Sequence, residues 1–237
     1  MTNDFKRRYS ICALLATLLV IIAASTASAA APTFAHSAIA RIQPYLMASP
    51  QQEVALARSA APPSISAHAV VMVLGAQGYV AAVKGSNGFV CLVERSWANA
   101  VNVKSTEFWN TRFRAPFCFN AAGAQSVLPR YLMRTQWVLA GASEGKVGNR
   151  EEAAWAEGKI EEPAAGAMCY MMSKRGRLNH GGPWRPHLMF YFPRAQAPNW
   201  GANLQGVPVF SQDNKDTTIV MVLVPVWSDG TPAPRYE

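Results

Sequence analysis

The strongest constraint on this chain is a series of three strand-length runs punctuated by glycine. Residues 69–74, 79–84 and 89–95 are rich in apolar, β-branched and aromatic side chains, the composition that suits a pleated, half-buried surface. Gly75-Ala76-Gln77-Gly78 and Gly85-Ser86-Asn87-Gly88 separate them. Asn-Gly marks a tight hairpin because both residues tolerate positive φ. The spacing predicts a three-stranded antiparallel meander. Side chains alternate between faces along a strand, so Phe89, Cys91 and Val93 share one face of the third strand, and Val90, Leu92 and Glu94 the other. The first set is wholly apolar and is expected to face the core.

Other segments complete the outline. Ser49-Pro50-Gln51-Gln52 has an N-cap serine, proline at the first helical position and glutamine at the capping-box position, which predicts a helix to about residue 59. Residues 97–125 show no period. They hold Phe108, Trp109, Phe113, Phe117 and Phe119 among Asn110, Arg112 and Arg114, and read as a long ordered excursion tied to the sheet through Cys118. Leu128, Tyr131, Leu132, Thr135, Val138 and Leu139 fall at helical spacing, with Arg130 and Arg134 opposite. Ser126 is the expected N-cap and Gly141 the stop. Asn149, with Glu152 three residues on, starts a second helix that Gly158 ends. Strands are expected over residues 167–173, 187–192 and 217–226. Pro193, Pro198 and Pro208, with Asn199, Gly201 and Gly206, make the stretch before the last strand a loop. The fold class is α+β: a mostly antiparallel sheet, made of the meander and about three C-terminal strands, with a helical hairpin packed on one face. One domain over residues 67–231 follows an Ala/Pro-rich arm at 30–66 with short helices, and a tail closes the chain at 232–237.

The N-terminus fixes the compartment. Lys6, Arg7 and Arg8 precede a nearly unbroken apolar run at 11–24, and small residues follow, with Ala27-Ser28-Ala29 fitting the A-x-A pattern. That is the layout of a signal peptide cleaved after Ala29. The run is shorter than the roughly 20 residues that span a bilayer, so no stable membrane span is expected after processing. The product is expected to be secreted or periplasmic. About 208 residues would remain, carrying about +6 of the full chain's +8 charge, with Lys and Arg scattered. Nucleic acid would need a dense basic patch, and is not expected as a partner. Cys91, Cys118 and Cys169 would remain of the four cysteines. Cys91 and Cys118, nearest in sequence, are the preferred disulfide, which leaves Cys169 free and buried.

Four constellations bear on chemistry. Gly141-Ala142-Ser143-Glu144-Gly145 matches the G-x-S-x-G nucleophile elbow. Its context is a helix end, where Gly141 acts as a cap and the rest as a link. Ser143 and Lys146 also form S-x-x-K, but glycines at 145 and 148 weaken the helix that spacing requires. His180-Gly181-Gly182-Pro183-Trp184-Arg185-Pro186-His187 concentrates two of the four histidines in one loop, and binding residues gather on loops held by rigid scaffolds. Met168, Cys169, Met171 and Met172 lie in one strand, His187 and Met189 in another. Parity puts Cys169 with Met171 and His187 with Met189, a soft donor set for Cu(I) if the strands share a face. Trp109, Trp184, Arg185 and Trp200 are the candidate recognition residues. No H-E-x-x-H or paired C-x-x-C spacing is present, and no cofactor is expected.

The strings GSNGFVCLVERSW at 85–97, GAMCYMMS at 166–173, PHLMFYFP at 186–193 and WSDGT at 227–231 resemble a family of exported bacterial proteins without assigned activity. The likeness spans about residues 68–231. It implies a periplasmic protein and lends no catalytic residue. Taken together, the expectation is a non-catalytic module that binds a small ligand or an envelope component. A hydrolase with Ser143 as nucleophile and His180 or His187 as base is the second expectation, and copper binding through Cys169, Met171, His187 and Met189 the third.

Overall fold

Alternation and burial of the strand runs produce one large sheet. In a computed structural model, residues 42–98, 107–178 and 181–235 are described. The leader pattern at 1–29 and His180 lie outside the described residues. The strands are β1 Val70–Gly75, β2 Gly78–Val83, β3 Val90–Glu94, β4 Ala115–Phe119, β5 Met168–Met171, β6 His187–Pro193, β7 Val209–Asp213 and β8 Thr217–Leu223. They lie in the order β2-β1-β3-β4-β5-β6-β8-β7. Every neighbouring pair is antiparallel except β1 and β3. The helices are α1 Pro50–Arg58, α2 Pro63–Ser66, α3 Ala121–Ser126, α4 Leu128–Leu139 and α5 Glu144–Ala156. The architecture is thus mixed α+β on a mostly antiparallel sheet.

The meander is corrected. β1 and β2 form the expected hairpin, but β3 pairs parallel with β1, through Val70↔Val90 and Val71↔Cys91. The Gly85-to-Gly88 segment is not a hairpin turn. It crosses the start of β1, where His68 C=O accepts from Ser86 N–H at 2.8 Å, and Val70 N–H reaches Phe89 C=O at 2.9 Å. A Cβ on Gly85 would stand 2.2 Å from the Val70 nitrogen, so only glycine permits this close approach. Long-range pairing to β1 outweighs the local Asn-Gly preference.

Two strands arise where none were expected. β4 emerges inside the 97–125 excursion. All five of its residues are buried, so it lacks the in–out alternation that reveals a strand. β7 emerges in the proline-rich stretch and pairs with β8 at the sheet edge. Cys91 and Cys118 are direct cross-strand partners of β3 and β4, and they form the disulfide.

Layers cover both faces of the middle of the sheet. Ser49 caps α1 by accepting from Gln52 N–H at 3.2 Å, as its sequence predicts. Leu56 and Ala57 of α1 pack with Val71, Cys91, Val93 and Cys118. The opposite face packs Leu92, Phe117, Phe119, Met189, Tyr191 and Ile219 against Leu128, Tyr131 and Val138 of α4. Gly141, at φ +86°, ends α4. The second helix begins at Glu144, five residues before the expected Asn149 start, so Asn149 and Glu152 lie inside it. Ser126 closes α3 instead of capping α4; its hydroxyl donates to Ala122 C=O and accepts from Ala164 N–H.

Arg130 and Arg134, opposite the apolar stripe of α4 as expected, are nonetheless buried, because α5 packs there and brings Glu151 within reach of both. Arg130 Nε stands 2.7 Å from Glu151 Oε1, and Arg134 Nη2 2.6 Å from Oε2.

Replacing both bridged cysteines, as Cys91→Ala/Cys118→Ala, is expected to cost about 3–4 kcal/mol for a loop of this length, the bridged residues being 27 apart in sequence. The urea midpoint should fall accordingly, and reduction of the wild type should reproduce much of the loss. An unchanged midpoint would contradict this role.

Candidate functional site

The sheet face beneath α4 is not completely filled. A cavity of about 370 Å³ lies there, within the size range of small-molecule sites and far larger than one water. Its floor is built by strand parity: Glu94 of β3, Ala115 and Phe117 of β4, Met171 of β5, His187 and Met189 of β6, and Ile219 and Met221 of β8. Tyr131 of α4 and Phe113 wall it. Leu178, Gly182, Pro183 and Trp184 bring in the glycine-rich loop. The lining is chiefly apolar, and its polar side chains are Glu94, Tyr131 and His187, with the indole of Trp184.

Each polar group has a distinct electrostatic state. Glu94 is fully buried, and no hydrogen-bond partner reaches its Oε1. Burial pushes its carboxyl well above the usual carboxylate range, while the charges of Arg134 and Arg130 act against that shift. Burial of a carboxyl with an unpartnered oxygen favours its neutral form over its charged one. His187 is 2 % exposed, and burial pushes its imidazole down to about 4. Its Nδ1 lies 2.6 Å from Arg185 C=O. A carbonyl only accepts, so Nδ1 carries the hydrogen and Nε2 keeps a free lone pair in the neutral ring. The Trp184 ring packs edge-on against His187, with centroids 4.6 Å apart. Tyr131 is held above its usual range by burial and then by the nearby Glu94, and its hydroxyl is hydrogen-bonded to that of Tyr191.

The structure brings together some of the sequence-selected residues. His187, Met171, Met189 and Trp184 line the cavity. Cys169 shares the face but not the lining. Its Sγ lies 3.4 Å from Tyr191 Oη, and burial pushes the thiol up to about 12, so it is a core thiol. Ser143 is exposed at the N-cap of α5 and does not line the cavity. Arg185 Nη1 reaches Arg235 C=O at 2.6 Å, pinning the C-terminal segment. Trp200 packs on Phe190 and Phe192, which point to the opposite face of β6. Trp109 packs on Phe108, and its carbonyl accepts from the Tyr45 hydroxyl at 2.9 Å.

Glu94, Tyr131, Phe113 and Met221 were not singled out from sequence. Glu94 had a signal: parity sets it with Val90 and Leu92, an acid on an apolar face. Tyr131 reads as one more core position of an amphipathic helix.

The two titrating groups pull stability in opposite directions. His187 has a folded value below its unfolded one, so its contribution is complete above pH 6.5 and is lost as pH falls toward about 4. That loss reaches about 3 kcal/mol, and His187→Leu should lack it. Glu94 is raised on folding, so its contribution is complete below its ordinary value of 4.5 and is lost as pH rises through the folded one. Glu94→Gln should therefore gain on the wild type as pH rises from 5 to 8. Urea unfolding of the three proteins across this range checks both signs.

No protein-family model, curated protein or solved structure matches this chain.

Proposed function

We propose that the chain is an exported, non-catalytic module that binds a small, mainly apolar molecule in the cavity between the sheet and α4. The cavity carries this reading: a ligand-sized space with an apolar lining and a few fixed polar groups is the usual form of a small-molecule site. Among the described residues that line it there is no serine, threonine, cysteine or lysine, which favours binding over nucleophilic chemistry. Ser143, exposed on the far end of the interhelical link, is not a lining residue, so the geometry gives the hydrolase reading no support. The cross-strand disulfide supports export, since such bonds persist in oxidising compartments. The leader pattern at 1–29 points the same way.

The polar groups restrict the ligand. His187 Nε2 offers a lone pair and so suits a ligand N–H or O–H. The neutral form of Glu94, which burial favours, offers an O–H to a ligand acceptor. A charged organic ligand that the lining neither pairs nor coordinates would enter an apolar space at high desolvation cost.

The uncharged fluorophore N-phenyl-1-naphthylamine tests the site. Its size and apolar surface predict a dissociation constant on the order of micromolar, with a blue-shifted emission. Ala115→Phe, which extends a ring from β4 into the cavity, should weaken binding at least tenfold while far-UV dichroism is retained. Failure of the fluorophore to bind, or equal binding by a folded Ala115→Phe variant, would overturn the proposal.

A further inference from the structure

The cavity floor concentrates soft donors beyond the needs of an apolar lining. Met171 of β5 lies directly opposite His187 of β6, and Met189, two residues on, lies directly opposite Met221 of β8. Directly opposed residues in antiparallel strands have Cα atoms about 4.5–5.5 Å apart, and parity sends all four side chains to the same face. All four line the one cavity. We propose that Met171, His187, Met189 and Met221 form a site for one soft monovalent cation, Cu(I), on the sheet wall of this cavity.

The donor chemistry is selective. Thioether and imidazole favour Cu(I), whereas Mg²⁺, Ca²⁺ and Mn²⁺ favour oxygen. Among the described residues there is no group of three His, Cys, Asp or Glu placed to hold a metal, so a hard or borderline ion has no comparable cage. The imidazole is ready to ligate. Its Nδ1 hydrogen is engaged by Arg185 C=O, which fixes ring orientation and leaves Nε2 as the donor, the outer-shell arrangement that ligating histidines use. Methionine has three rotatable bonds and a polarisable sulfur, which lets neighbouring side chains converge on one ion. Trp184, ring to ring with His187 at 4.6 Å, lines the same cavity beside the imidazole.

Cys169 is not part of this site. It is the cross-strand partner of Met189, but its sulfur is turned to the Tyr191 hydroxyl and does not line the cavity. The thioethers have a further advantage in an oxidising compartment, because they cannot be lost to disulfide formation as a thiol can. The copper reading uses the same cavity as the apolar-ligand reading but does not depend on it.

Ag(I), a redox-inert ion of the same charge and softness, is the first probe, with Cu(I) added anaerobically and measured by competition with bicinchoninate. Native mass spectrometry and equilibrium dialysis of the full-length protein should give one ion per chain. X-ray absorption on the Cu(I) form should show sulfur neighbours together with one nitrogen. Met171→Leu and Met189→Leu conserve volume and should fold normally. Each should weaken binding at least tenfold, and the pair should abolish it, while Cys169→Ser binds as the wild type. No ion at equimolar Ag(I), binding unchanged in the paired variant, or binding lost in Cys169→Ser overturns the proposal. N-phenyl-1-naphthylamine titration of the same samples keeps the readings apart. Fluorophore binding without Ag(I) binding removes only the metal site, and the reverse removes only the apolar-ligand reading.

Discussion

The end of strand β3 carries a carboxyl and a guanidinium at consecutive buried positions, Glu94 as its last residue and Arg95 just beyond it, and the layers on both sides of the sheet answer to that pair. Successive side chains of a strand point to opposite faces, so one ionisable group enters each layer. Arg95 is fully buried on the α1 side, where its Nη2 stands 3.0 Å from Glu53 Oε1. It also donates to the carbonyls of Tyr45 and Val93. Glu53 in turn accepts from Leu74 N–H at 3.0 Å. One carboxylate thus ties α1 to both β1 and the end of β3. Breaking a buried pair of this kind by removing one partner typically costs about 3–5 kcal/mol, because the survivor is left charged and unpaired. Position and orientation of α1 follow from this requirement as much as from its short apolar stripe.

The opposite layer solves its charges differently. Arg130 and Arg134 of α4 share Glu151 of α5, and Arg134 also donates to Ala98 C=O. Both acids near these arginines are buried, yet their surroundings differ. Glu151 meets the guanidinium nitrogens at hydrogen-bond distance, whereas Glu94 feels the arginines only through space. Direct hydrogen bonds offset the desolvation of a carboxylate; distant charge does so only in part. Glu94 therefore remains the weakly compensated group, and it is the one that lines the cavity.

Much of the fold was legible, and the failures have physical causes. β1, β2 and β3 stand out because their runs are bounded by glycine and one edge strand meets solvent, as exposed Val80 on β2 shows. The register of β3 was not legible, since an Asn-Gly signal is local and the pairing with β1 is decided by distant residues. β4 is buried on both faces, so Phe117 and Phe119 looked like stray aromatics in a loop. The burial of Arg130 and Arg134 was not legible, because Glu151, which both reach, lies on the next helix. At the site, parity alone brought Met171, Met189 and His187 to one face. The cavity itself has no sequence signature, because it is a space left between α4 and the sheet.

A stable core would not choose the residues found on this floor. Replacing Glu94 with leucine or His187 with phenylalanine would remove two buried ionisable groups whose folded state disfavours their charged forms. Leucine in place of Met171, Met189 and Met221 would fill the same face with better-defined rotamers. Native proteins leave buried polar atoms unsatisfied rarely, and such groups call for a functional explanation. Here Glu94 with an unpartnered oxygen, an imidazole fixed in one tautomer and three thioethers all border the one ligand-sized space. Their shared location is the arrangement that a small-molecule site requires, an apolar space edged by a few fixed polar groups, and it is the observation from which the proposed binding role is argued.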